Sequence, residues 1–393
     1  MSEWREVPLG EVLTLQRGFD VTKKTQRPGP VPVVSSSGIA SFHDEARAEG
    51  PGVVIGRKGS LGTAFFVEGP YWPHDTTLWV KDFKGNEPFY CYLLLKTLPL
   101  ADLDAGSSNP TLNRNHAHGL RVRIPSVESQ RHIATVLAAF DEFIEINERR
   151  IELLETLARS LYREWFVRFR FPGHEGLELV ESSAGPIPDG WEVRTLADIA
   201  EVVVDGVAPR DIKGDAPYVG LEHLPRRSTT LREWGSLESV TSRKLRFRRD
   251  DTLFGKIRPY FHKVVWAPFA GVASSDTIIL RARGDQALPA LVNAVVSSDA
   301  LVAEAVATSN GTKMPRADPQ VLLRYPLQLP QLDSAVLAEF ERATGQYYEF
   351  AADLVEHNRA LAATRDLLLP RLVTGRLDIS DVDLRDLLPA EDA

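Results

Sequence analysis

The sequence has little of what marks a secreted or membrane protein. It contains one cysteine, Cys91, in 393 residues, so it cannot form a disulfide framework or a cysteine-based metal site. No apolar run approaches the roughly 18 residues typical of a membrane span. The opening segment MSEWREVPLGE has no apolar stretch of the kind found in secretory signals. We therefore expect a cytoplasmic protein.

A Pro-Pro dipeptide is also absent, although the chain has 26 prolines. Methyltransferases that act on base amino groups hold the flipped base with a [DNS]-P-P-[YF] turn, so their active site is not evident here. The segment GRKGSLG (56–62) matches neither a dinucleotide-binding fingerprint nor a P-loop. The pairs His43-Asp44 and His74-Asp75 lack metal-ligand spacing and indicate turn or surface residues. The sequence gives little support for catalysis, but a methyltransferase or nuclease with a divergent active site stays open as the alternative.

The chain is not basic, with 46 Lys and Arg against 54 Asp and Glu and a net charge of −8. An acidic balance counts against nucleic-acid binding by this chain alone. The excess is uneven, because residues 331–393 hold 6 of the basic and 13 of the acidic residues, leaving 40 against 41 in residues 1–330. The larger part of the chain can therefore carry local basic faces, and a partner can supply further positive charge.

The most informative feature present is an internal repeat. The segment WREVPLGEVLTLQRG (4–18) returns as WEVRTLADIAEVVVDG (191–206), VVIGRKGSLG (53–62) as TLFGKIRPYF (252–261), and LRVRIPSVESQ (120–130) as LRYPLQLPQLD (323–333). A period near 200 residues is too long for a solenoid and indicates duplication of a domain with its connector. Two similar units suggest a ligand with two parts, such as a bipartite DNA site.

Each repeat begins with short β-rich runs separated by Gly, Pro and Ser, together with shorter helices, which indicates an α+β fold of two similar mixed domains. A long helix follows in each repeat. We predict these segments: recognition domain 1 at 1–125, a central helical spacer at 126–170, a linker with domain 2 at 171–330, a C-terminal helical spacer at 331–378, and an acidic tail at 379–393.

Both predicted long helices carry an apolar seam with alternating spacings of three and four residues, which is the pattern of a coiled coil. The seams include Asn147, Ile151, Leu154 and Leu161 in the first helix, and Leu354, Asn358 and Leu361 in the second. We expect the two helices to pair antiparallel with pseudo-twofold symmetry and the asparagines to fix their register. The alternative is that each helix packs on its own domain. We expect Ser126 and Asp333 to cap the helices and Pro370 to end or kink the second.

Several stretches together resemble the specificity (S) subunits of type I restriction–modification systems. They are SSSGIASFHDEA (35–46), VVIGRKGSLGTAFFVEGPYWPHDTTLWV (53–80), the helix with YREWF (124–166), GPIPDGWEVRTLADIA (185–200), TLFGKIRPYFHKVV (252–265) and RDLLLPRLVTGRL (365–377). The resemblance implies a bacterial or archaeal protein with two target-recognition domains that read the unlike halves of a split DNA site. It also implies helical spacers that dock two modification (methyltransferase) subunits, with restriction subunits joining the larger complex.

The resemblance implies no chemistry in this chain and no cofactor of its own. S-adenosylmethionine, ATP and Mg²⁺ are expected on the partner subunits. Besides the divergent enzyme, a coiled-coil scaffold unrelated to DNA is a rival interpretation.

Glycine-flanked basic turns allow the backbone to approach a duplex while long side chains reach phosphates or base edges. The candidate DNA contacts are Arg57, Lys58 and Ser60 in the first repeat, at positions we take as equivalent to Lys256, Arg258 and Tyr260 in the second. Two matched loops add Asn109, Asn113 and Arg114, and Lys313 and Arg316. In RKLRFRR (243–249), alternation predicts Leu245 and Phe247 on one face and basic residues on the other, forming either a phosphate-facing edge or an ordinary solvated strand.

Overall fold

A computed structural model describes residues 4–103, 110–212, 214–237, 241–284, 287–311 and 313–377. The chain divides into two compact units. Unit 1 comprises Met1–Ile144 and Ala360–Ala393, and unit 2 comprises Glu145–Arg359. The division falls inside both long helices, so each unit contains one globular part and a segment of each helix. The predicted five-segment division of the chain, with separate spacers and a tail, stays a prediction.

Unit 1 is a mixed α+β unit in which short strands precede a long helix. Its elements are β1 (Arg5–Pro8), α1 (Leu9–Val12), β2 (Thr14–Arg17), β3 (Val31–Ser35), β4 (Gly38–His43), β5 (Gly52–Gly56), β6 (Ala64–Val67), β7 (Trp72–Pro73), β8 (Thr77–Asp82), α2 (Pro88–Thr97), α3 (Arg114–Gly119), β9 (Arg121–Ile124) and the first part of α4 (Val127–Tyr162). The sheet orders are β1-β9, β2-β8-β5-β6 and β4-β3-β7. All pairings are antiparallel except β3 with β7.

Unit 2 repeats two of these three sheet orders after a linker. Its elements are β10 (Leu179–Val180), β11 (Ile187–Pro188), β12 (Glu192–Thr195), β13 (Ala200–Val203), β14 (Gly206–Val207), β15 (Tyr218–Val219), β16 (Lys244–Phe247), β17 (Thr252–Gly255), β18 (Val264–Trp266), β19 (Gly271–Ala273), β20 (Thr277–Ala282), α5 (Pro289–Val296), α6 (Asp299–Ala307), α7 (Pro319–Leu323), β21 (Pro326–Leu329) and the first part of α8 (Ala335–Val373). The order β13-β20-β17-β18 matches β2-β8-β5-β6, and β12-β21 matches β1-β9. The parallel pair β15-β19 corresponds to β3-β7. The structure thus confirms the repeated α+β architecture.

The core of each unit joins its sheet to its long-helix segments. In unit 1, Val53 and Leu94 share a buried cluster with Leu137 of α4 and Leu372 of α8. In unit 2, Phe254 and Leu291 share one with Trp165 and with Phe340 of α8. Burial of these apolar side chains is the main force that fixes each helix segment against its globular part.

The helix segments run antiparallel within each unit, as predicted. In unit 2, Asn147 contacts Asn358 while Trp165, farther along α4, contacts Phe340, which is earlier in α8. In unit 1, Asp141 of α4 forms an ion pair with Arg365 of α8. The rival expectation, in which each helix packs on its own domain alone, is therefore wrong.

The start of α8 differs from the prediction. Ser126 accepts the amide of Ser129 at 3.3 Å as expected, but α8 is capped by Ser334, not Asp333. The Ser334 hydroxyl accepts the Leu337 amide at 3.4 Å, because the helix begins one residue later than the aspartate would require. Pro370 lies inside the last turn of α8, which continues to Val373.

No single helix in the described part of the chain has the length and apolar character of a membrane span. The short helices α5 and α6 have this length and apolar character only when they are taken together, across a bend of 56°.

Candidate nucleic-acid interface

In unit 1 the glycine-basic turn forms a junction with two other loops. The amides of Arg57 and Lys58 donate to the carbonyl of Thr76 at 2.9 and 3.0 Å. The carbonyl of Arg57 accepts the amide of Leu112 at 3.0 Å, and Lys58 pairs with Thr111 in an antiparallel bridge. The turn that follows β5, the loop before β8 and the segment before α3 therefore meet at one end of the sheet.

The junction requires glycine where the turn closes on itself. A Cβ on Gly56 would lie 1.9 Å from the carbonyl oxygen of Ser60, so no larger residue can occupy that position without moving the backbone. This close approach leaves Ser60 exposed at the tip, whereas Arg57 and Lys58 are half-buried. Atom Nη1 of Arg57 is buried and has no hydrogen-bond partner among the described residues.

The second loop of this junction contributes less than its sequence suggests. Asn113 is exposed, but its side chain accepts the amide of Asn115 at 2.9 Å and so caps α3. Arg114 is exposed beside it. Asn109 lies outside the described residues.

Unit 2 contains the same junction with different side chains. The Lys256 amide donates to the carbonyl of Asp276 at 2.8 Å, and the Lys256 carbonyl accepts the amide of Ala317 at 2.9 Å. Ile257 pairs with Arg316 in an antiparallel bridge. Asp318 caps α7 by accepting the Gln320 amide at 2.8 Å, as Asn113 caps α3.

Most of the predicted side chains of unit 2 are accessible. Lys256 is half-buried, while Arg258, Tyr260, Lys313 and Arg316 are exposed. Arg316 lies 4.0 Å from the carboxylate of Asp276, a loose surface ion pair that leaves the guanidinium available to another anion.

The hydrogen bonds correct the predicted equivalence of the two turns. Arg57 corresponds to Lys256, as expected, but Lys58 corresponds to Ile257 and Gly59 to Arg258. The offset that aligns Gly56 with Gly255 gives this same pairing without a gap, so the predicted equivalence of Lys58 with Arg258 is wrong. The extra residue of the second turn lies after Arg258.

The structure adds polar groups to the junctions that the sequence did not single out. The amide of Ser36, in the hairpin after β3, lies 3.4 Å from Oγ1 of Thr76, and Nδ1 of His74 lies 3.0 Å from the same hydroxyl. In unit 2, Nζ of Lys263 donates to the carbonyl of Leu221. Burial of Lys263, with the nearby Arg226, lowers the pKa of its ammonium group.

The basic strand RKLRFRR is occupied by contacts within unit 2. Arg246 pairs with Asp205 at 3.7 Å and Arg249 pairs with Glu349. The expected separation of faces is wrong for Lys244, which is buried with its ammonium group 5.5 Å from the centre of the Tyr218 ring. β16 lies between β14 and β19 in its sheet, so both of its edges are paired with neighbouring strands.

The two predicted seam asparagines are hydrogen-bonded to each other. Asn147 Nδ2 donates to Asn358 Oδ1 at 2.9 Å, and Asn358 Nδ2 donates to Glu148 at 3.1 Å. Ile151 and Leu354 share a buried cluster, with Leu154 packed at its edge. Leu161 packs on the larger core of unit 2, and Leu361 is half-buried in unit 1.

Buried glutamates join the helices of unit 2 to its globular part. Glu155 is 4% exposed and accepts the amides of Thr229 and Thr230 at 3.0 and 2.9 Å. Glu341 accepts the amides of Ala290 and Leu291, at the start of α5, at 2.8 and 3.0 Å. Burial raises the pKa of Glu341 to about 7. Neither residue could be singled out from the sequence, since each lies beside the seam rather than in it.

The comparisons with known proteins agree on one family. The family model described as the type I restriction modification DNA specificity domain matches residues 1–156. The type I restriction enzyme MjaIX specificity subunit of Methanocaldococcus jannaschii is 25% identical over 312 residues, covering 75% of this chain and 70% of that protein. The EcoDI specificity subunit of Escherichia coli is 20% identical over 403 residues, covering 95% and 89%. This chain is similar to type I specificity subunits over most of its length.

The fold is shared with a solved member of that family. The S subunit from M. genitalium aligns with a TM-score of 0.61 over 94% of this chain and 96% of its own, at 12% identity. The family model ends within α4 and does not cover the second half of the chain. The second half is related to the first by its repeated sheet orders.

Proposed function

We propose that this chain reads a split DNA sequence through two unlike half-sites. The observation that carries the proposal is that one loop junction occurs once in each unit, with its backbone bonds retained and its side chains changed. Retained geometry supports a shared mode of DNA approach, and changed side chains support different bases. The acidic net charge fits a subunit whose partners supply part of the positive surface.

Within each junction the exposed or half-buried cations position the duplex, and shorter polar groups contact the bases. Phosphate contacts fix register and carry no sequence information, which is read from base edges in the grooves. Lys58 and Arg114 take the phosphate role in unit 1. Arg258, Lys313 and Arg316 take it in unit 2. The half-buried Arg57 carries an orphaned N–H and is the candidate for a base or an inward phosphate oxygen.

The long helices serve as the spacer and dock two modification subunits, which restriction subunits join. Leu153 and Leu157 support the docking role, since they are 63% and 51% exposed and one turn apart on α4. Exposed apolar side chains on adjacent turns mark interaction surfaces. S-adenosylmethionine, ATP and Mg²⁺ belong to the partners, so this chain performs no catalysis.

Binding of short duplexes by the chain with its modification subunit tests the proposal. The complex should prefer a duplex carrying the motif methylated in the source genome over a scrambled one by at least 10³-fold, the lower end for specific DNA binders. Equal affinity would refute DNA reading and leave a scaffold. A second assay incubates the purified chain alone with labelled S-adenosylmethionine and DNA, where incorporated label would establish the enzyme interpretation instead.

A further inference from the structure

The turn of unit 2 contains one more residue than the turn of unit 1. In unit 1 the amide of Gly56 donates to the carbonyl of Thr63 at 2.8 Å, and in unit 2 the amide of Gly255 donates to that of Lys263 at 2.8 Å. These bonds enclose residues 57–62 in unit 1 and residues 256–262 in unit 2. The additional residue lies in the 3₁₀ turn Pro259–Phe261, at whose centre is Tyr260.

The backbone on both sides of this 3₁₀ turn is strained. Unit 1 has glycine at its two left-handed positions, Gly59 (φ +78°) and Gly62 (φ +72°). Unit 2 has Arg258 and His262 at the corresponding positions, both with φ +52°. A residue with a Cβ is unfavourable in this region, and such strain persists where the surroundings enforce it, often at binding sites.

Contacts around the strained residues hold the turn in place. The His262 ring is buried and hydrogen-bonded to the carbonyl of Ser297 at 2.8 Å, and the His262 carbonyl accepts the amide of Arg227 at 2.9 Å. The amide of Arg258 donates to the carbonyl of Pro315 at 2.7 Å. Tyr260 is thus presented from an anchored backbone and not from a free loop.

Tyr260 combines aromatic exposure with cationic surroundings. Its side chain is 51% exposed, and its ring centre lies 4.8 Å from that of Phe261 in an edge-on contact. The Arg226 guanidinium lies 4.0 Å from the centre of the Phe261 ring and supports it. Arg258 adjoins Tyr260 in the same turn, and Arg316 pairs with the turn at Ile257. The other large aromatic side chains exposed in the described residues, Phe42 and Phe350, lie on β4 and α8, away from the junctions.

We infer that Tyr260 is a stacking wedge that enters a base step of the half-site read by unit 2; this rests on the proposed function. Side chains inserted between bases unstack a step and bend the duplex, at an energy that depends on the sequence being deformed. The neighbouring cations hold the backbone phosphates while the ring stacks. Tyr260 therefore selects a deformable step in its half-site, with no hydrogen bond to a base edge.

The wedge belongs to one half-site only. At the tip of the first turn, unit 1 carries Ser60 and the half-buried Leu61 between glycines, so it offers no aromatic ring. The DNA is accordingly distorted on the unit 2 side and undistorted on the other.

The test uses the full chain in complex with its modification subunit and a duplex carrying the motif methylated in the source genome. 2-Aminopurine replaces each half-site base in turn, and fluorescence is read at saturating protein without S-adenosylmethionine. Wild type should raise the fluorescence at one step of one half-site, and Tyr260→Phe should retain this signal. Tyr260→Ala should abolish it and weaken binding about 10- to 100-fold, the range for loss of one base–aromatic stack. Phe42→Ala, which removes a similarly exposed aromatic side chain away from the junctions, is the matched control and should leave this signal unchanged.

A signal and an affinity that survive in Tyr260→Ala would overturn the wedge while leaving DNA reading intact. A wild-type complex that does not distinguish the motif from a scrambled duplex would instead overturn the proposed function. Tyr260 is exposed, so an unchanged melting temperature for Tyr260→Ala will show that the variant is folded.

Discussion

Glu341 links the globular part of unit 2 to α8 through two backbone amides at the start of α5. In unit 1 the amides at the start of the corresponding helix α2 are bonded by its own N-cap, because Glu87 accepts the amides of Phe89 and Tyr90. The carboxylate that accepts these amides therefore belongs to the N-cap of the helix in unit 1 and to α8 in unit 2. A sequence comparison aligned on the helix alone finds Leu288 in place of Glu87 and no substitute.

The raised pKa of Glu341 predicts a pH dependence of stability. Because the folded state keeps the proton up to about pH 7 while the unfolded chain loses it near 4.5, the free energy of unfolding should fall as pH rises between these values. Glu341→Gln should remove this slope, so its stability relative to wild type should rise by up to about 3 kcal/mol from pH 4.5 to pH 8. Unfolding by denaturant at a series of pH values measures this difference in the free energy of unfolding. Glu339→Gln, an exposed neighbour on α8, is the control, and a difference that stays constant with pH would contradict the assignment.

Lys58 should contribute to DNA affinity without contributing to sequence choice. Lys58→Ala should weaken binding to every duplex by a similar factor and reduce the slope of log K against log salt by about 1. Lys81, exposed near the far end of β8 from the junction, is the matched control. Titrations of both variants at several salt concentrations measure the affinity and its salt slope. A loss confined to the motif would assign Lys58 to base reading instead.

The residue types at the junctions could be predicted because glycine and basic residues recur at nearly constant separation. The different lengths of the two turns could not, since the extra residue at 259–261 becomes visible only through the bonds that close each turn. The role of Asn113 as the N-cap of α3 could not be predicted either. An asparagine in a loop gives the same sequence signal whether it caps a helix or contacts DNA.

The long helices were the most predictable elements, because a spacing of three and four residues sustained over several turns needs a helical partner. Their contacts with the globular parts were less predictable. Glu155 lies directly after the seam residue Leu154, where charged residues usually face water, yet it is buried by the loop from Ser228 to Thr230. The arrangement depends on a segment 73 or more residues away in sequence.

The paired asparagines should be energetically coupled. Asn358→Leu alone leaves the Asn147 amide buried without its partner and should cost about 1–3 kcal/mol. Asn147→Leu with Asn358→Leu should be near neutral or more stable, because both polar groups are removed together. Equilibrium unfolding of the single and double variants measures the coupling. Strictly additive losses would show that the observed hydrogen bond contributes nothing.

The helices should set the gap between the half-sites. Seven residues inserted between Asn147 and Ile151, and seven between Leu354 and Asn358, keep the seam and lengthen each helix by about 10 Å. At about 3.4 Å per base pair, the gap should grow by about three base pairs with both halves unchanged. Methylation mapping in cells carrying the variant measures the gap. Four-residue insertions at the same points are the control, since they break the seam and should abolish methylation. An unchanged gap after the seven-residue insertions would contradict the spacer role.

Taken as one molecule, the chain repeats two sheet orders and varies the side chains at the tips of the repeated turns. The sheets β2-β8-β5-β6 and β13-β20-β17-β18 share their order, yet the tip of one turn carries Ser60 and the other Tyr260. The duplication itself could be predicted from segments that return about 200 residues later. The bases read could not, because they depend on side-chain positions against a duplex.

If two unlike readers act on one split site, the methylation pattern of the source genome should show it. Single-molecule sequencing, with mapping of the methylated adenines, measures this pattern. We expect one motif with two different half-sequences separated by a gap of fixed length, and loss of its methylation when the gene for this chain is deleted. A continuous palindromic motif, or methylation that persists after the deletion, would rule out two unlike readers.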